Sequence, residues 1–77
     1  MIAYLRGKLV SKNPPEIIID VDGIGYSIQA PMSTFYELPK IDHEVTVLTQ
    51  LIVREDSHTL YGFATDTERE LFKQLLK

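Results

Sequence analysis

Apolar and polar positions alternate along most of the chain, and turn-forming clusters cut the alternation into short pieces. The cuts fall at Asn13-Pro14-Pro15, Asp22-Gly23, Pro31, Pro39 and Gly62. Between them the segments are rich in β-branched residues. Residues 2–11 read as a strand. Glu16–Val21 reads as another, and its run Ile17, Ile18, Ile19 predicts burial on both faces. Tyr26-Ser27-Ile28-Gln29-Ala30 alternates as a half-buried strand does. Asp22-Gly23 between these two is a hairpin signal, and Gly25 supplies freedom for a bulge. Glu44–Val53 is the longest strand candidate, with Val45, Val47, Leu51 and Val53 on one face. His58–Phe63 follows across a polar hairpin loop, Arg54-Glu55-Asp56-Ser57, with Tyr61 and Phe63 alternating against Leu60.

Two segments leave this period of two. Residues 33–38, STFYEL, are bracketed by Pro31 and Pro39; Ser33 can cap a short helix with Phe35, Tyr36 and Leu38 as its apolar side. Thr65-Asp66-Thr67-Glu68 has capping-box spacing, a Thr hydroxyl and a Glu three residues on. Leu71, Phe72, Leu75 and Leu76 then recur at helical spacing, which predicts an amphipathic helix near 66–76. The fold class is all-β: a five- to six-stranded Greek-key barrel, the OB-fold, with a short helix between strands 3 and 4 and one C-terminal helix. The pattern alone leaves an SH3-like barrel or a sandwich open.

Size and charge narrow the picture. At 77 residues and 8.8 kDa the chain makes one small domain that buries roughly 63% of its unfolded surface, a thin core. Without cysteine, disulfides and thiolate metal sites are excluded, and His43 and His58 are too far apart in sequence to make a zinc site alone. Self-association is then the expected extra support. A net charge of -3 counts against nucleic-acid binding by bulk electrostatics. No apolar run reaches the ~18 residues of a membrane span. The opening MIAYLRGKLV lacks a basic stretch followed by an apolar one, so a cytoplasmic protein is expected.

Candidate chemistry is sparse. Gly23-x-Gly25 lacks the third glycine and the following helix of a phosphate cradle and reads as a turn. His43 and His58 have no nearby nucleophile or spaced carboxylates and read as surface residues. Tyr4, Tyr26, Tyr61 and Phe63 are either base-stacking platforms or core. Arg54-Glu55-Asp56 is the most unusual feature. Two adjacent carboxylates at a hairpin tip repel each other, and turn propensity does not require both. They make a solvated loop, a deliberate negative point or a weak pair for a divalent cation. Arg69, Lys73 and Lys77, at i, i+4 and i+8, form one basic stripe, either solvated or facing phosphate. No nucleophile–base set or metal cluster can be assembled, so no catalytic site, ATPase site, metal or cofactor is expected.

Four blocks, MIAYLRGKLV at 1–10, GIGYSIQAP at 23–31, LIVREDSHTLYGF at 51–63 and TERELFKQLLK at 67–77, together resemble the N-terminal region of the RuvA family, bacterial Holliday-junction-binding proteins. The resemblance runs the length of the chain, and REDxxxLYGF is its most specific part. It implies residues 1–64 as an OB-fold barrel that sets oligomerisation. It also implies residues 65–77 as the first helix of a helix-hairpin-helix DNA-binding domain cut short at Lys77. The implied role is the DNA-binding subunit of a branch-migration complex in recombination, repair and the SOS response. The implied assembly is a homotetramer on a four-way DNA junction. Its implied partners are the RuvB ATPase motor, bound through a region this chain lacks, and the RuvC resolvase.

By that resemblance Glu55 and Asp56 are the family's acidic pin; Arg54, from its place beside them, and Arg69 and Lys73, from the basic stripe, are candidate phosphate contacts. Arg54 either meets a phosphate or braces the carboxylates. The alternatives from other classes are a stand-alone OB module binding single-stranded nucleic acid, which needs exposed aromatics and a basic groove, and a pure protein-interaction module.

Overall fold

The computed structural model describes residues 2–75, and Leu76 and Lys77 lie outside them. Five strands follow one another: β1 (Tyr4–Asn13), β2 (Glu16–Val21), β3 (Ile24–Gln29), β4 (Glu44–Arg54) and β5 (Ser57–Phe63). A one-turn helix, α1 (Met32–Phe35), joins β3 to β4, and α2 (Asp66–Leu75) follows β5. The strands close into a barrel in the order β1-β2-β3-β5-β4, antiparallel except for a single parallel pairing of β3 with β5 at Gln29 and Tyr61. This order, with a helix after the third strand, is that of the OB-fold.

Local chemistry makes most of the joints. Asp22 and Gly23 adopt φ of 53° and 88°, the two positive values that a two-residue hairpin turn of the tight mirror-image type requires. The Asp20 carboxylate accepts the Gly23 N–H at 2.7 Å. Pairing between β2 and β3 runs through Gly25 without a break, so the expected bulge is not there. The register shift lies instead in β1 between Leu9 and Ser11, where Val10 has no partner opposite. A bulge bends its strand, and β1 must bend to pair with β4 through Tyr4–Lys8 and with β2 through Lys8–Asn13.

The core is Leu5, Leu9, Ile17, Ile19, Ile28, Val47 and Leu60, all nearly or fully buried. Each such aliphatic side chain contributes roughly 1.5–3 kcal/mol against leaving it in water. Ile18, expected to be buried with its neighbours, points outward and is half-buried, because β2 has only one face on the barrel interior. Ser33 does not cap α1. Pro31 occupies that position without a side-chain hydrogen bond, and Tyr36, placed by the sequence on the apolar side, is 81% exposed.

Two glycines sit where strands come too close for a side chain. A Cβ on Gly7 would stand 2.2 Å from the Asp20 carbonyl oxygen, and one on Gly62 would stand 2.6 Å from a methyl of Ile28 at the β3–β5 seam. At Gly25 the nearest atom would be 3.5 Å away, an ordinary contact. Gly7→Ala should therefore cost at least about 1–3 kcal/mol, a loss of some 4–8 °C per kcal/mol in a domain of this size. Gly25→Ala should leave the melting temperature level or slightly raised. Thermal unfolding of the two variants beside the parent checks both.

Candidate nucleic-acid interface

The longest strand outruns its neighbour. β4 pairs with β1 only from Glu44 to Leu48, whereas its pairing with β5 runs on to Arg54 and Ser57. Beyond Leu51 and Leu60 the two strands are held only by each other, and every residue from Val53 to His58 is exposed. The result is a two-stranded ribbon standing about 10 Å beyond the barrel. Val53 continues the inward face of Val45, Val47 and Leu51, as the alternation predicts, yet is 60% exposed because no core lies opposite.

At its tip the ribbon turns through Glu55 and Asp56, neither with a positive φ. Among the described residues neither carboxylate accepts a hydrogen bond. The two ion pairs found, Asp66–Arg69 and Glu70–Lys73, are both on α2. Arg54 lies opposite Ser57 and is exposed, without an ion pair to the carboxylates beside it. His58 lies opposite Val53 on the other face. The tip is thus a pair of bare negative charges with one cation just behind.

The second basic element is different. α2 begins with one half of the expected capping box: Thr65 Oγ1 accepts the Glu68 N–H at 3.2 Å, but among the described residues the Glu68 carboxylate accepts the Thr65 hydroxyl at 3.4 Å and not its backbone N–H. The Glu68 carboxylate then reaches out of its own helix, accepting hydrogen bonds from the hydroxyls of Ser33 and Thr34 on α1. Phe72 packs on Tyr61 and Phe63, with ring centroids 4.9 and 5.2 Å apart and tilted planes. Arg69 turns inward. Its side chain is 19% exposed, Nη1 donates to the Ala3 carbonyl at 2.9 Å and Nη2 to Asp66 at 2.8 Å. Among the described residues its buried Nε has no partner, which costs about 1–3 kcal/mol. Lys73, 42% exposed, pairs loosely with Glu70 at 3.4 Å. The stripe read from sequence is therefore one engaged guanidinium and one accessible ammonium, its third member Lys77 lying outside the described residues.

The remaining candidates do not gather. Tyr61 and Phe63 lie beneath Phe72, Tyr26 packs against the core, and Tyr4 is exposed on the outer face of β1. No stacking platform forms from them. His43 precedes β4, away from His58 on the ribbon. Among the described residues no group of three or more His, Cys, Asp or Glu side chains could hold a metal ion, and no helix is long and apolar enough to cross a membrane.

Residues 1–62 match the family described as RuvA N terminal domain. The chain belongs to that family. It is 58% identical over all 77 residues to the Holliday junction branch migration complex subunit RuvA of Cupriavidus metallidurans and to that of Thioalkalivibrio sulfidiphilus. To the protein of the same name from Neisseria meningitidis it is 57% identical. It covers 40%, 38% and 40% of these relatives, so the chain spans about two fifths of their length.

In this RuvA-family chain the sequence reading missed two contacts, Ser33–Glu68 and Arg69–Ala3. Both join residues far apart in sequence, and no local spacing signals either. It did single out the ribbon tip. Because Glu55 and Asp56 have no partners, replacing both by Gln and Asn should change the unfolding free energy of the domain by no more than about 0.5 kcal/mol. Urea unfolding measures this; a larger loss would mean that the carboxylates hold the fold.

Proposed function

We propose that this chain is the junction-facing part of a RuvA subunit, with the β4–β5 ribbon acting as an acidic pin. The observation that carries the reading is the bare carboxylate pair, Glu55 and Asp56, at the tip of a ribbon whose residues from Val53 to His58 are all exposed. The relatives are named as subunits of a Holliday junction branch migration complex. In the proposed assembly four copies form a ring on a four-way DNA junction, with residues 1–64 as the oligomerising barrel and 65–77 opening a helix-hairpin-helix unit. The RuvB motor engages a part of the protein beyond this chain and drives migration, RuvC acts on the same junction, and the complex works in the cytoplasm.

The physics of such a pin is repulsion. A unit charge about 8 Å from a phosphate contributes only ~0.5 kcal/mol in water. Four copies of the pair around one axis add, and low-dielectric protein walls strengthen each contribution. Phosphates are held off the centre, which favours separated strands there and an open junction. The same charges lower overall affinity, so the pin works as specificity through repulsion. Attraction must come from elsewhere: Arg54 behind the tip and Lys73 on α2 are two of the cations open to nearby phosphates, with backbone amides and basic groups of the remaining chain supplying the rest.

In the complete tetrameric protein, Glu55→Gln with Asp56→Asn should leave four-way-junction binding level or tighter and raise plain-duplex binding more, so that the preference for junctions falls. The difference from wild type should shrink as salt shortens the Debye length from ~10 Å at 0.1 M to ~3 Å at 1 M. Titrations of both DNAs at several salt concentrations read this. A sharp loss of junction affinity with duplex binding unchanged would make the carboxylates attractive ligands and overturn the repulsive pin.

A further inference from the structure

The geometry points to Arg69 as a positioning residue that fixes α2 against the base of the ribbon, and not as a phosphate ligand. The Ala3 carbonyl oxygen accepts two hydrogen bonds, one from Arg69 Nη1 at 2.9 Å and one from the Thr49 backbone N–H at 2.9 Å. Thr49 is the first residue of β4 beyond its last β1 partner; it is still buried, two residues before Leu51, beyond which the ribbon stands clear of the barrel. The Thr49 hydroxyl donates to the Ile2 carbonyl at 2.7 Å, so the segment before β1 is itself tied down there. One carbonyl oxygen therefore links the helix to the root of the ribbon.

The other flank of α2 is held by Glu68 on Ser33 and Thr34 of α1. Phe72, four residues from Glu68 and three from Arg69, falls between them on the helix surface and seats on Tyr61 and Phe63. Three neighbouring positions on one helical face thus grip three separate parts of the barrel. Such a clamp sets both the tilt and the rotation of α2 relative to the ribbon. The chemistry of the guanidinium suits it. A planar fork can donate to Ala3 and Asp66 at once, whereas a lysine ammonium in the same place is a point charge without the fork. A phosphate would have to displace Asp66 and draw the side chain, now 19% exposed, out of its seat.

Two measurements test this, and the first needs no DNA. In the 77-residue chain, Arg69→Gln and Arg69→Lys should both speed amide exchange about tenfold through α2 and at Thr49, leaving Val47 and Ile19 in the core protected. Lys73→Gln should do neither. The second rests on the junction-binding reading and uses the complete tetramer. Removing a phosphate contact lowers the slope of log affinity against log salt by about 0.9 per contact. Arg69→Gln should weaken junction binding with that slope unchanged, and Arg69→Lys should weaken it comparably despite keeping the charge. Wild-type exchange in α2 for both Arg69 variants would overturn the proposal, as would a reduced slope for Arg69→Gln with full rescue by Arg69→Lys. If the tetramer does not prefer junctions at all, the functional reading fails while the exchange result still decides the clamp.

Discussion

The barrel wall ends before its longest strand does. β4 is hydrogen-bonded to β1 over five residue pairs, Tyr4–Leu48 to Lys8–Glu44, is tied once more through Thr49 to Ile2 and Ala3, and past that is paired with β5 alone among the described residues. An antiparallel pair can continue past a barrel because its own ladder satisfies half of its backbone groups and water satisfies the rest. It cannot keep burying side chains, because nothing stands opposite. The inward face consequently changes from the buried Val47 through the half-buried Leu51 to the exposed Val53 along one strand. The ribbon, its polar tip and its separation from the remaining charges all follow from that mismatch in length.

Closure of so narrow a barrel imposes the second set of demands. Strands must approach more closely than side chains allow at Gly7 and Gly62, and β1 must bend at its Val10 bulge to serve two neighbours. These devices hold the root of the ribbon in a rigid frame. α2 then lies across the β4–β5 side of that frame with an aromatic seat at Phe72, Tyr61 and Phe63. Its polar grips are what give it a single orientation: ring packing alone tolerates sliding, whereas the hydrogen bonds of Arg69 and Glu68 are directional. An exposed negative tip and a helix that carries the accessible cation Lys73 are in this way fixed to one small body. A net charge of -3 is then no contradiction in a family whose members include subunits of a Holliday-junction complex. Charge placement, more than its sum, decides where a phosphate backbone can lie.

Much of this was legible in the residues themselves. Alternation and turn chemistry are local, so the strands, the Asp22-Gly23 turn, the capping box of α2 and the carboxylate pair between β4 and β5 could all be read from neighbours within four positions. A five-strand order with a helix after the third was enough to propose the barrel, and four blocks taken together, REDxxxLYGF the most specific of them, were enough to propose the family. Sequence alone could not tell which cation of the Arg69–Lys73 stripe is engaged and which is accessible. It could not tell that Ser33 serves Glu68 instead of its own helix, that the bulge belongs to Val10 and not Gly25, or that Val53 faces inward onto nothing. Each of those outcomes depends on which distant backbone group arrives opposite a side chain. That is settled only when the barrel closes and brings Ala3, Thr49 and α2 to the same corner.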